Sequence, residues 1–118
     1  MEIIERRKIE RDRILDRALH YAMGLEFPCS AFLIGSYARG DFNLWSDVDI
    51  LLMADFQGNL IERQREIDFP PGFEILPFTI SEIVSIKDKK RKFYSEVRNN
   101  HIILRDDLNA KSLFEDEK

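Results

Sequence analysis

Between Val48 and Met53 the chain reads Val-Asp-Ile-Leu-Leu-Met, apolar at every position except Asp49. A run this short is strand length rather than helix length. Asp47 precedes it, and residues two apart in a strand leave the same face, with alpha carbons about 6.7 Å apart. Val48 and Ile50 then face the other way, into the core. Carboxylate oxygens that approach to about 4 Å repel by roughly 4 kcal/mol at an effective dielectric of 20, so a fold gains nothing from the pair without a cation. Magnesium fits, because it takes hard oxygen ligands and shares them with substrate phosphates. The plainer alternative is an exposed strand face on which both acids are simply hydrated.

The rest of the chain supplies a mixed α/β frame (α+β class), a small mixed sheet flanked by helices. From Glu2 to Met23 there is no Pro or Gly, and Ile14, Leu15, Ala18, Leu19 and Ala22 recur at helical spacing, with Gly24 placed to end the helix. The charged first half of that helix reads as a solvated face. Ala31 to Ile34 is a buried strand that stops at Gly35; Phe73 to Leu76 is a third strand ended by Pro77. A short charged helix over Asn59 to Ile67 lies between the second and third strands. One helix from Ser81 to about Asn99 and a last short strand, Ile102 to Leu104, complete the order. The expected organisation is a single domain over residues 1–118, with an N-terminal helix to 24, a catalytic core over 31–106 and a disordered tail at 115–118.

With 118 residues, 44% hydrophobic and 34% charged, the chain has material for one small core, and a separate acceptor-recognition domain would have to sit on another chain. Eighteen Lys and Arg against 22 Asp and Glu give a net charge of -4, the wrong sign for non-specific nucleic-acid binding. The lone Cys29 reads as a small apolar residue in or near the core. The N-terminus lacks a signal-peptide run and no stretch approaches membrane-spanning length, so the expectation is a cytoplasmic protein with no membrane contact.

Gly35 at a strand end lets the backbone turn sharply and approach a ligand without a Cβ in the way. Ser36 follows with a hydroxyl and a backbone N–H at the start of a helical turn, an arrangement that receives phosphate. Glu74 repeats the pattern of Asp49 as an isolated acid between Phe73 and Ile75. If the second and third strands are neighbours in register, Asp47, Asp49 and Glu74 form one cluster suited to two-metal phosphoryl or nucleotidyl transfer, with Glu74 as base or orienter for the incoming hydroxyl. Each of these residues has a structural alternative: an ordinary Gly-Ser turn, or an exposed strand acid.

Gly35-Ser36, ten intervening residues and then Asp47-Val48-Asp49, all in an apolar setting, resemble the signature of the DNA polymerase beta-like nucleotidyltransferase superfamily. The longer string Gly35-Ser36-Tyr37-Ala38-Arg39-Gly40 with Ser46-Asp47-Val48-Asp49-Ile50 is similar to its minimal nucleotidyltransferase branch. The resemblance is close over Gly35 to Ile50 and loose from Ala31 to about Asp106. It implies a polymerase beta-like fold and a nucleoside triphosphate, ATP, held by Gly35 and Ser36 with support from Arg39. It also implies two magnesium ions on Asp47, Asp49 and the third acid of the family, commonly Asp, which falls on Glu74 here. It further implies a HEPN-domain toxin as partner, with the nucleotidyltransferase acting as antitoxin by transferring AMP to a tyrosine of the toxin.

Two other readings stay open. One is a weak or inactive nucleotide-binding module that neutralises a partner by binding; the other is a small-molecule nucleotidyltransferase of the antibiotic-modifying kind. A homo-oligomer is left open too. The basic run Lys87, Lys89, Lys90, Arg91 and Lys92 reads as a solvated face, Trp45 as a loop anchor rather than a base-stacking residue, and His20 and His101 carry no chemistry.

Overall fold

The computed structural model describes residues 3–115, so Glu2 at the expected helix start and positions 116–118 of the expected tail lie outside the described residues. Four strands, β1 (Ser30–Ile34), β2 (Val48–Met53), β3 (Phe73–Phe78) and β4 (Ile102–Asp106), form one sheet in the order β3-β2-β1-β4. β1 runs antiparallel to both β2 and β4, whereas β2 and β3 are parallel. The helices are α1 (Ile3–Met23), α2 (Gly35–Arg39), α3 (Leu60–Glu66), α4 (Ile80–Lys89) and α5 (Arg91–Asn99), followed by a 3-10 turn at Ala110–Phe114. The mixed α/β class expected from the sequence is the class observed.

Strand alternation divides the core into two layers. Ala31, Leu33, Val48, Ile50, Leu52 and Ile75 face α1, which buries Ile14, Ala18 and Ala22 against them. Leu15 packs on the same layer, but Leu19 is 43% exposed: it lies about 100° round the helix from Ala18 and falls outside the stripe. Cys29 is fully buried here, as a small apolar residue. On the other face Phe32, Ile34, Leu51 and Met53 meet Ile83 of α4, Tyr94 and Val97 of α5, and Phe114 of the 3-10 turn.

Three boundaries differ from the expectation. β3 continues through Pro77 to Phe78, paired residue for residue with β2. As an edge strand it tolerates a residue without an N–H, which a central strand does not. β4 likewise extends to Asp106, whose carboxylate accepts from the Ser30 hydroxyl and from the Ala110 and Lys111 amides, tying the strand end to the 3-10 turn. The single helix expected over Ser81 to Asn99 is two, broken at Lys90, and Val84 on the first of them is exposed. It starts earlier as well. Thr79 caps α4 by accepting from the Glu82 amide while Glu82 reaches back to the Thr79 amide, the same reciprocal box that Asn59 and Glu62 make at α3.

Candidate active site

The end of β1, the start of β2 and the start of β3 lie side by side. Ile34 pairs with Asp49, and Asp49 pairs with Glu74 on its other side. Asp49 and Glu74 leave the sheet on the α4–α5 face, the face of Leu51 and Met53, at the end where the apolar packing stops. The in-register neighbour relation anticipated for Glu74 is therefore present.

Gly35 follows β1 with φ of 72° and opens α2. A Cβ at this position would overlap Asp49 Oδ2, so the Asp49 carboxylate rests directly against the glycine backbone. Glycine is required here twice over: for its left-handed conformation and for the space taken by the acid. Ser36 comes next, partly buried, and no side chain caps the start of α2. The turn out of α2 is closed by the Gly40 and Asp41 amides, both donating to Ser36 O.

Asp49 is half-buried, and its carboxyl is pushed up to about 6. Burial is the largest cause, followed by the negative charge of Glu74 and a hydrogen bond with it, and by the charge of Asp47; Arg39 opposes them. Asp47, just ahead of β2, and Glu74 are both exposed. Among the described residues no three acidic, histidine or cysteine side chains stand close enough together to enclose a metal ion. The structure thus presents a contacting pair, Asp49 and Glu74, with Asp47 within electrostatic reach. Such a donor set fits magnesium, which is usually held by one or two carboxylates together with substrate phosphates rather than by an all-protein cage.

Arg39, at the end of α2, donates from Nε to both oxygens of Asp41, at 3.2 and 3.1 Å, and from Nη1 to Glu96 of α5 at 2.8 Å. Glu96 belongs to this neighbourhood and the sequence reading missed it; 57 residues separate it from Arg39, and no spacing signal links them. The charged half of α1 is also more than a solvated face. Arg7 donates to the carbonyls of Gly40 and Phe42 and sits over the Phe42 ring, and Arg11 donates to the carbonyl of Tyr37. Cationic side chains therefore hold the C-terminal end of α2, where helix carbonyls lack partners.

Trp45 does not anchor its loop: it is 87% exposed, and Asn43 and Ser46 close the loop by bonding each other and the Trp45 amide. His101 stacks on Phe32 and bonds the Val97 carbonyl, a packing role. A cleft of about 760 Å³ lined by Phe27, Phe56, Arg63 and Ile80 lies beyond the other ends of β2 and β3, away from the carboxylates. Among the described residues no helix is long and apolar enough to cross a membrane.

The sequence model of the nucleotidyltransferase domain matches residues 25–105, most of the chain. The chain belongs to the nucleotidyltransferase domain family. The matched span contains Gly35, Ser36, Asp47, Asp49 and Glu74. This nucleotidyltransferase is 38% identical over 68 residues to a Methanocaldococcus jannaschii protein named as a putative protein adenylyltransferase, covering 57% of this chain and 69% of that one. Its fold is similar to a chain in a crystal structure of a toxin-antitoxin with AMP-PNP, with a TM-score of 0.55 and 15% identity, covering 85% of this chain and 79% of that one.

Proposed function

We propose that this nucleotidyltransferase transfers AMP from ATP to a hydroxyl of a partner protein, using magnesium held by Asp47, Asp49 and Glu74. The observation that carries the reading is the row across three strand ends, in which Asp49 lies between the Gly35 backbone and Glu74. Bound magnesium would supply charge neutralisation of the triphosphate and of the leaving pyrophosphate. Gly35 and Ser36 receive phosphate oxygens on backbone N–H groups and the Ser36 hydroxyl. Glu74, exposed and next to Asp49, takes the proton of the acceptor hydroxyl as its oxygen bonds to the α-phosphorus and the bond to pyrophosphate breaks. Arg39 contributes positive charge on the phosphate side of Asp49.

Two findings support a protein acceptor: the name of the archaeal relative, and the fold likeness to a component of a toxin-antitoxin with AMP-PNP. In the arrangement that the sequence resemblance implies, the partner is a HEPN-domain toxin, the acceptor is one of its tyrosines and this chain is the antitoxin. The test is incubation with α-labelled ATP and magnesium, alone and with the product of the adjacent gene, reading label by gel. Label on the partner that is absent with Asp47→Asn is the expected result. Neutralisation of the partner with no label, undiminished in EDTA, would replace transfer with simple binding.

A further inference from the structure

We propose that Glu96 on α5 is a positioning residue that holds the Arg39 guanidinium for a phosphate of the bound nucleotide. The inference rests on the proposed nucleotide site and names a residue of that site which its motif does not contain. Arg39 has two clamps of different kinds. Asp41 is two residues along the chain and would follow Arg39 wherever α2 went, whereas Glu96 belongs to an element packed independently on the sheet.

That element is well fixed. Tyr94 and Val97 of α5 are buried against Phe32, Ile34, Leu51 and Met53, and the Tyr94 hydroxyl donates to the Leu113 carbonyl at 2.6 Å. Glu96 lies between these two anchors in sequence, so its side chain has a fixed base from which to reach α2. The sheet face it approaches is the one that carries Asp49 and Glu74.

With Nε on Asp41 and Nη1 on Glu96, Arg39 Nη2 makes no hydrogen bond among the described residues and still has two N–H groups to give. Arg39 ends the five-residue helix that Gly35 opens against the Asp49 carboxylate, so the guanidinium stands about one helical turn from the carboxylate site. An arginine whose Nε and Nη1 are each held by an acid presents its remaining Nη2 in a fixed direction, suited to a single phosphate oxygen, because the planar group is oriented before the ligand arrives. Without Glu96 the long side chain would sample rotamers in solvent, and ordering it would weaken nucleotide binding.

The test is calorimetric titration of the intact chain with a non-hydrolysable ATP analogue and magnesium. Arg39→Ala should raise Kd at least about tenfold, the range for losing a charged hydrogen bond. Glu96→Gln should raise it about threefold, and should add nothing in an Arg39→Ala background. The double exchange Arg39→Glu with Glu96→Arg can rebuild an ion pair between α2 and α5. Recovery of thermal stability without recovery of affinity is the expected result, since the arginine would then stand on the wrong helix. Full recovery of affinity in the exchanged protein would show that the pair only joins two helices and would overturn the inference. An Arg39→Ala effect with no Glu96→Gln effect would overturn it and leave the nucleotide site standing. No Arg39→Ala effect would remove Arg39 from the site, and the inference with it.

Discussion

Replacing Asp49 by Asn should make the metal-free protein more stable at neutral pH while disabling it. The folded state raises the Asp49 carboxyl from 3.8 to about 6, so folding opposes its ionisation. Because the folded form holds the proton more tightly than the unfolded form, stability is greatest below about pH 4, falls as pH rises through 6, and stays low above that. Two units correspond to about 3 kcal/mol. Asp49 is only half-buried, and solvent screening reduces this to about 1 kcal/mol at pH 7.5. Asn occupies the same space and can donate an N–H toward Glu74, as the protonated acid does. Thermal unfolding in EDTA at pH 7.5 should therefore give a Tm about 3–5 °C higher for Asp49→Asn, and the gap should close as pH is lowered from 7 to 4. Magnesium with an ATP analogue should reverse the order, raising the parent and leaving the variant unchanged. A variant no more stable than the parent in EDTA, or a gap indifferent to pH, would refute the electrostatic reasoning.

Gly35→Ala should lower stability by roughly 1–2 kcal/mol from the left-handed backbone alone. Because the added methyl also displaces the Asp49 carboxylate, calorimetry should show at least about a tenfold loss of affinity for the ATP analogue. Arg63→Ala should lower stability by about 2–3 kcal/mol, read as a lower urea midpoint at unchanged m. Arg63 is 7% exposed and donates to the carbonyls of Gln57 and Pro77 and to Glu82, so its removal leaves the buried Pro77 carbonyl without this donor and breaks the ion pair with Glu82. Trp45→Ala should change Tm by less than about 2 °C, since an 87% exposed side chain gives up little burial on removal. A large drop would show that the loop depends on Trp45 after all.

The elements that carry the carboxylates were legible because their signals are local. An apolar run with one acid defines β2, a second defines β3, and a glycine at a strand end marks the turn. The pairing of Asp49 with Glu74 needed only the assumption that these two strands are neighbours. What sequence could not show was decided at long range: the break at Lys90, which no proline or glycine announces, and the reach of Glu96, Arg7 and Arg11 to α2. Pro77 misled because its meaning depends on whether β3 is central or at the edge. The cap at Thr79 was there to be read, since Thr followed three residues later by Glu is a helix-start signal in its own right.

The parallel register of β2 and β3 has a consequence for how such a domain can vary. From Met53 at the end of one strand to Phe73 at the start of the other, the chain passes over the far end of the sheet, through α3, and back. The facing of Asp49 and Glu74 is set by the ladder between the strands and not by the length of that excursion. Insertions or deletions within it can therefore reshape the surface beyond the far end of the sheet while leaving the two acids opposed. A family built this way can exchange the part that meets other molecules without retuning the part that handles phosphate.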